Sequence, residues 1–200
     1  MTGPIRITAL YTAAFVAFSV ARGDRRIVAY LLVIATAAAV VALVHRRHRV
    51  PTNVAYALSA CGLLHVAGGL LPGHPVFYEA WLLPHVLKYD QLVHFTITAT
   101  ITVAVLATGL AKRPLVAVAM ALAAGIGNEV FEYLSSLRYA DAYVGGSTNA
   151  AWDLVFDTFG AATAAVVLLG RRGNPLARSV RLPRRVHVGV ATPEGDELVV

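Results

Sequence analysis

The chain divides into long apolar stretches separated by short polar punctuation. The stretches fall at Ile5–Ala21, Ile27–Val44, Asn53–Leu71, Tyr89–Leu110, Leu115–Leu134 and Ala150–Leu169. Each runs 17 to 22 residues, enough to cross a hydrocarbon core of about 30 Å at about 1.5 Å per residue. Pro, Gly or a basic cluster closes most of them: HRRHR after the second, Pro72-Gly73 after the third, Ala-Lys-Arg-Pro after the fourth, Arg171-Arg172-Gly173 after the sixth. Such residues end helices. The pattern predicts an all-α, polytopic membrane bundle of six transmembrane helices over residues 1–170, with a basic tail at 171–200. In that tail, VHVGVATPEGDELVV is read as disordered or as a short hairpin.

Composition agrees. The chain has 200 residues, 58% of them hydrophobic and 14% charged, against about 25% charged in soluble domains. The net charge of +6 does not point to nucleic acid, because the basic residues lie between and after the apolar runs, where they set topology and meet anionic headgroups. With the N-terminus inside, 12 of the 17 lysines and arginines lie on the inner side. Both termini are therefore expected in the cytoplasm; the turn ARGDRR is the discordant loop. The first helix is read as retained, although Ser19-Val20-Ala21 resembles a signal-peptidase site. The lone Cys61 cannot form an internal disulfide.

Five of the eleven acids fall inside predicted helices: Asp90, Glu129, Glu132, Asp153 and Asp157. Asp90 and His94 are spaced i,i+4, Glu129 and Glu132 i,i+3, and Asp153 and Asp157 i,i+4, so each pair shares one helix face. Under the predicted topology all lie toward the outer ends, with His94 in the second turn of its helix and Asp157 about 10 Å inside its own. His65 lies at a similar depth, on a face with Gly62 and Gly69 that suits close helix contact.

A carboxylate at mid-bilayer costs about 2.5–3.5 kcal/mol, and no lysine or arginine lies within these helices to offset five of them. One or two divalent metal ions, shared protons, or the nearby Lys88 and Arg138 are the expected compensation. His94, Glu129, Glu132 and Asp157 are candidate ligands. Asp90 and Asp153 are candidate acid/base residues, with helix N-terminal capping as the simpler reading of each. His65, Asn128 and Trp152 are candidates to support the cluster from outside. His74 and His85 lie in the loop before the fourth helix, within reach of the layer. GGST at 145–148 and Ser135-Ser136 are weak candidates for phosphate binding and nucleophilic chemistry.

YDQLVHF at 89–95, NEVFEY at 128–133 and GGSTNAAWDLVFDTFGA at 145–161 occur in an order that resembles the YjdF-like family of bacterial inner-membrane proteins. The opening and closing motifs are more distantly similar to VanZ-like proteins. The chain departs from the second pattern at Asp157, where an asparagine is expected. It departs from the first at Asn149, Ala150 and Ala151, where an acid precedes Trp-Asp. The resemblance implies a multi-helix fold in the bacterial plasma membrane with a shared polar cluster. The expected function is a membrane-embedded hydrolase or transferase acting on a lipid or lipid-linked headgroup. The alternatives are a non-catalytic scaffold or lipid-binding protein and a proton- or cation-coupled transporter.

Overall fold

The computed structural model describes residues 1–73, 76–138 and 146–173. Six helices are long and apolar enough to cross a membrane: α1 (Thr2–Arg22), α2 (Ile27–His48), α3 (Thr52–Leu70), α4 (Tyr89–Ala107), α5 (Pro114–Arg138) and α6 (Gly146–Gly173). The protein is a multi-pass membrane protein. Large apolar side chains such as Leu10, Leu43 and Leu115 stay exposed on the bundle's outside, as lipid-facing positions should.

Helix α4 is the hub. It packs along α6 over the greatest length and also contacts α3 and α5; α1 lies against α3, and α2 is only lightly attached. The α4–α6 contact is close because both sides give up bulk. A Cβ at Gly160 would run into the Phe95 carbonyl and the Thr98 hydroxyl. Thr98 and Thr102 are fully buried there. Each spends its hydroxyl on its own helix, donating to the carbonyls of His94 and Thr98, both at 2.9 Å.

Helix ends differ from the apolar boundaries for identifiable reasons. Helix α2 continues through His45 to His48, because basic residues suit a helix C-terminus. Helix α4 stops earlier than expected, at Ala107, where Gly109 turns with φ of 71°. Helix α5 runs on to Arg138 and α6 starts at Gly146. The latter places Asp153 two turns inside α6, which removes the N-terminal capping reading for it. Helix α6 also carries Arg171 and Arg172 to Gly173, past the expected start of the tail. The tail hairpin, His74, Asp141 and Gly145 lie outside the described residues.

The connection from α3 to α4 is more ordered than the predicted loop. A 3-10 turn at Phe77–Glu79 leads to β1 (Trp81–Leu83), which pairs antiparallel with β2 (Leu87–Lys88). His85 takes a left-handed φ of 57° between the strands. Lys88 pairs with Glu79 at 2.5 Å and lies over the Trp81 ring. Gln91 Oε1 accepts a bond from the Lys88 backbone N–H at 2.9 Å, so it, and not Asp90, caps α4.

The glycines of α3 do not bring helix backbones together as expected. A Cβ at Gly62 would strike the Tyr11 hydroxyl, at Gly69 the Tyr30 hydroxyl and at Gly68 the Tyr78 ring; they receive tyrosines instead. In the turn between α1 and α2, Arg26 grips Asp24 through Nε and Nη2 at 2.6–3.2 Å. These hydrogen bonds hold the Asp24 carboxyl below the usual range, and offset one of the arginines in the discordant ARGDRR loop.

Candidate functional site

Three helices deliver the acids to one place. His94, in the second turn of α4, is buried between α5 and α6. Its Nδ1 lies 3.2 Å from Asp157 Oδ1. Its Nε2 faces Asp90 Oδ1 and Glu129 Oε1, each at 3.7 Å. Asp90, His94 and Asp153 each offer a ligand atom within 4.8 Å of the others, and so do His94, Glu129 and Glu132. The i,i+3 and i,i+4 pairs therefore meet around a single imidazole.

Burial is deep. Asp153 and Asp157 are each only 1% exposed. Glu129 Oε1, Asp153 Oδ1 and Asp157 Oδ2 are buried without a hydrogen-bond partner. A buried polar atom without a partner costs on the order of 1–3 kcal/mol, more when charged, so three in one cluster need an explanation.

The supporting residues are partly those expected. Asn128 donates from Nδ2 to Glu132 Oε1 at 2.8 Å, one turn along α5. Trp152 points away, 53% exposed, because position 152 faces outward when 149, 153 and 157 face in. His65 is engaged by Tyr78: the phenol donates to the His65 carbonyl at 2.7 Å and lies 2.6 Å from Nδ1. His85 stacks on Trp81 in the hairpin, with ring centroids 5.6 Å apart.

Two residues of the site were not among the candidates. Asn149, noted only as the place of a missing acid, donates from one amide nitrogen to Asp90 Oδ2 at 3.0 Å and Asp153 Oδ2 at 2.6 Å. It is four residues before Asp153, so the same spacing rule that paired the acids would have found it. Tyr78 had no local signal, standing between Phe77 and Glu79 in a connecting segment. Burial pushes its phenol well above the usual tyrosine range, helped by Tyr30 and by the Asp90 and Glu132 carboxylates. It therefore stays neutral beside the acids.

Chemically, the arrangement offers several carboxylate oxygens and one imidazole nitrogen in a largely buried cluster, with the Asn128 and Asn149 amides as neutral donors at its edge. Such a set suits a hard or borderline cation, or proton transfer between carboxyls. No curated protein matches the chain, and no solved structure does. The pattern of one family covers residues 4–174, nearly all of the six-helix bundle and all three motifs, and on that match the chain belongs to the family described as predicted membrane protein (DUF2238), in agreement with the YjdF-like resemblance of its motifs.

Proposed function

We propose that this chain is a membrane-embedded hydrolase or transferase that acts on a lipid or lipid-linked headgroup at the His94 cluster. The observation that carries the reading is the convergence of five carboxylates on one buried imidazole inside three spanning helices. Ionisable groups are expensive in a bilayer and are kept there for function. His94 is the sixth residue of α4, about 8 Å along the helix from its first residue, so the cluster is nearer one end of that helix than the other. The distribution of lysine and arginine supports cytoplasmic termini and a site toward the outer leaflet of a bacterial plasma membrane.

Transport is the weaker reading for a stated reason. Below His94 the buried polar residues of α4 are Thr98 and Thr102, whose hydroxyls are already donated to their own helix. A polar path toward the other end of the bundle is not supported. A purely structural role is disfavoured by the three buried oxygens without partners.

The test is product formation by purified protein in detergent, followed by mass spectrometry of a bacterial lipid extract. Glu132→Gln and Asp157→Asn keep side-chain shape while removing charge. Loss of product in both variants is expected. Full activity in both would end the enzymatic reading, and substrate-dependent ion uptake by proteoliposomes would replace it with transport.

A further inference from the structure

We propose that one divalent first-row cation, of the Mn²⁺ or Zn²⁺ class, is held by Asp90, His94 and Asp153, whose ligand atoms lie within 4.8 Å of one another, with Asn149 and Asp157 as the residues that position these ligands. The inference deepens the enzymatic reading of the same cluster, and ion binding and turnover are measured separately.

Hydrogen bonding sorts the oxygens. A carboxamide nitrogen has two hydrogens, and Asn149 spends them on Asp90 Oδ2 and Asp153 Oδ2. The remaining oxygen of each aspartate is Oδ1. Asp90 Oδ1 faces His94 Nε2 at 3.7 Å, and Asp153 Oδ1 is fully buried without a partner. Asn149 thus ties the two carboxylates together while adding no charge, and leaves one oxygen of each free of its amide.

Asp157 does the same for the histidine. Its Oδ1 lies 3.2 Å from Nδ1; an ionised Asp157 there favours the tautomer with the proton on Nδ1 and the lone pair on Nε2. An imidazole oriented this way by a carboxylate is the usual support of a metal-binding histidine. Nε2 then points between Asp90 Oδ1 and Glu129 Oε1, both 3.7 Å away and beyond hydrogen-bond range. Two ligands about 2.0–2.2 Å from one ion stand about 3–3.8 Å apart at open coordination angles, so the separations suit atoms that share an ion. Glu129 and Glu132, the latter held by Asn128, form a second group with His94 on the α5 side. Carboxylate oxygens and one imidazole nitrogen without sulfur select against soft cations; Cys61 is turned to Thr96 and Thr100 elsewhere on α4.

The test uses the full chain in detergent, stripped with a chelator, reloaded with Mn²⁺ or Zn²⁺, desalted and assayed for metal. One ion per chain is expected. In the Mn²⁺ form, pulsed electron paramagnetic resonance should show coupling to an imidazole nitrogen, a readout that needs no variant. Asp153→Asn should retain no ion. Asn149→Ala, checked for helicity and monodispersity, should bind about 10–100-fold more weakly, as loss of an outer support does. Wild-type protein that retains no ion, a Mn²⁺ signal without nitrogen coupling, or unchanged affinity in Asp153→Asn would each overturn the site. Bound metal without lipid turnover supports the ion site and sinks the enzymatic reading. Turnover by fully chelated protein does the reverse.

Discussion

Asp157 touches both neighbouring helices: its Oδ1 lies 3.2 Å from His94 Nδ1 on α4, and its Oδ2 lies where a side chain at Gly125 of α5 would have to go. One aspartate is thus the point at which α4, α5 and α6 register with one another.

That relationship predicts opposite outcomes for two glycines on the same helix. Gly125→Ala drives a methyl into the Asp157 carboxylate. Overpacking of this kind costs about 1–3 kcal/mol, expected as a lower unfolding temperature in detergent and weaker metal retention. At Gly127 a Cβ meets nothing within 4 Å, and alanine should be neutral or stabilising by up to about 1 kcal/mol through helix propensity. Equal shifts in the two variants would show that Asp157 has room to move.

Tyr78→Phe tests the buried phenol under the hairpin. Because the folded state holds the Tyr78 pKa well above its usual value, the folded protein keeps a proton that the unfolded chain releases near pH 10. The stability this contributes is complete below about pH 10 and falls as pH rises from there toward the folded-state pKa. The wild type should therefore lose stability more steeply above that pH than Tyr78→Phe. At neutral pH the variant should be less stable by about 0.5–1.5 kcal/mol for the lost bond to the His65 carbonyl. Parallel alkaline curves would show that Tyr78 ionises freely.

Six candidate spans among the described residues put both ends of the bundle on one side, and the bias of lysine and arginine favours the cytoplasm. Reporter fusions at Met1 and after Gly173 are expected on the cytoplasmic side, and an insertion at Pro84, between β1 and β2, on the other. An external reporter at either terminus would reverse the depth argument and put the His94 cluster at the inner leaflet.

The membrane explains why so much of this was legible. A bilayer demands runs of apolar residues long enough to span, so six helices could be read from hydropathy alone. An acid there is rare enough that same-face spacing identifies Asp90/His94, Glu129/Glu132 and Asp153/Asp157 as pairs worth placing together. The closing glycine of GGSTNAAWDLVFDTFGA has its reason in the close approach of α6 to Phe95 and Thr98. What was not legible depends on short or neutral features. The β1–β2 hairpin has too few residues for a periodic signal. Tyr78 acts through tertiary contact alone. Asn149 is an amide and carries no charge penalty to advertise it. Helix α6 begins four residues before its apolar run, so Asp153 stands near the start of the run but not of the helix. Trp152 was grouped with the site by its neighbours in sequence, although adjacent helix positions point about 100° apart.

Asn149→Asp separates charge from shape. The variant exchanges the donor that bridges Asp90 and Asp153 for a sixth carboxylate against two others. Without metal, repulsion and the lost bonds should lower the unfolding temperature, since like charges at such separations oppose folding in a dry site. With a divalent cation present, the added oxygen becomes a further ligand. Binding linked to the folded state then contributes about 2.7 kcal/mol at a hundredfold excess over Kd. The expected signature is a larger rise in unfolding temperature on adding Mn²⁺ to Asn149→Asp than to the wild type, with no such gain from Na⁺ at matched ionic strength. If proton sharing alone neutralises the cluster, Mn²⁺ will have no selective effect. The variant will then be rescued only by lowering the pH, which protonates the extra carboxyl.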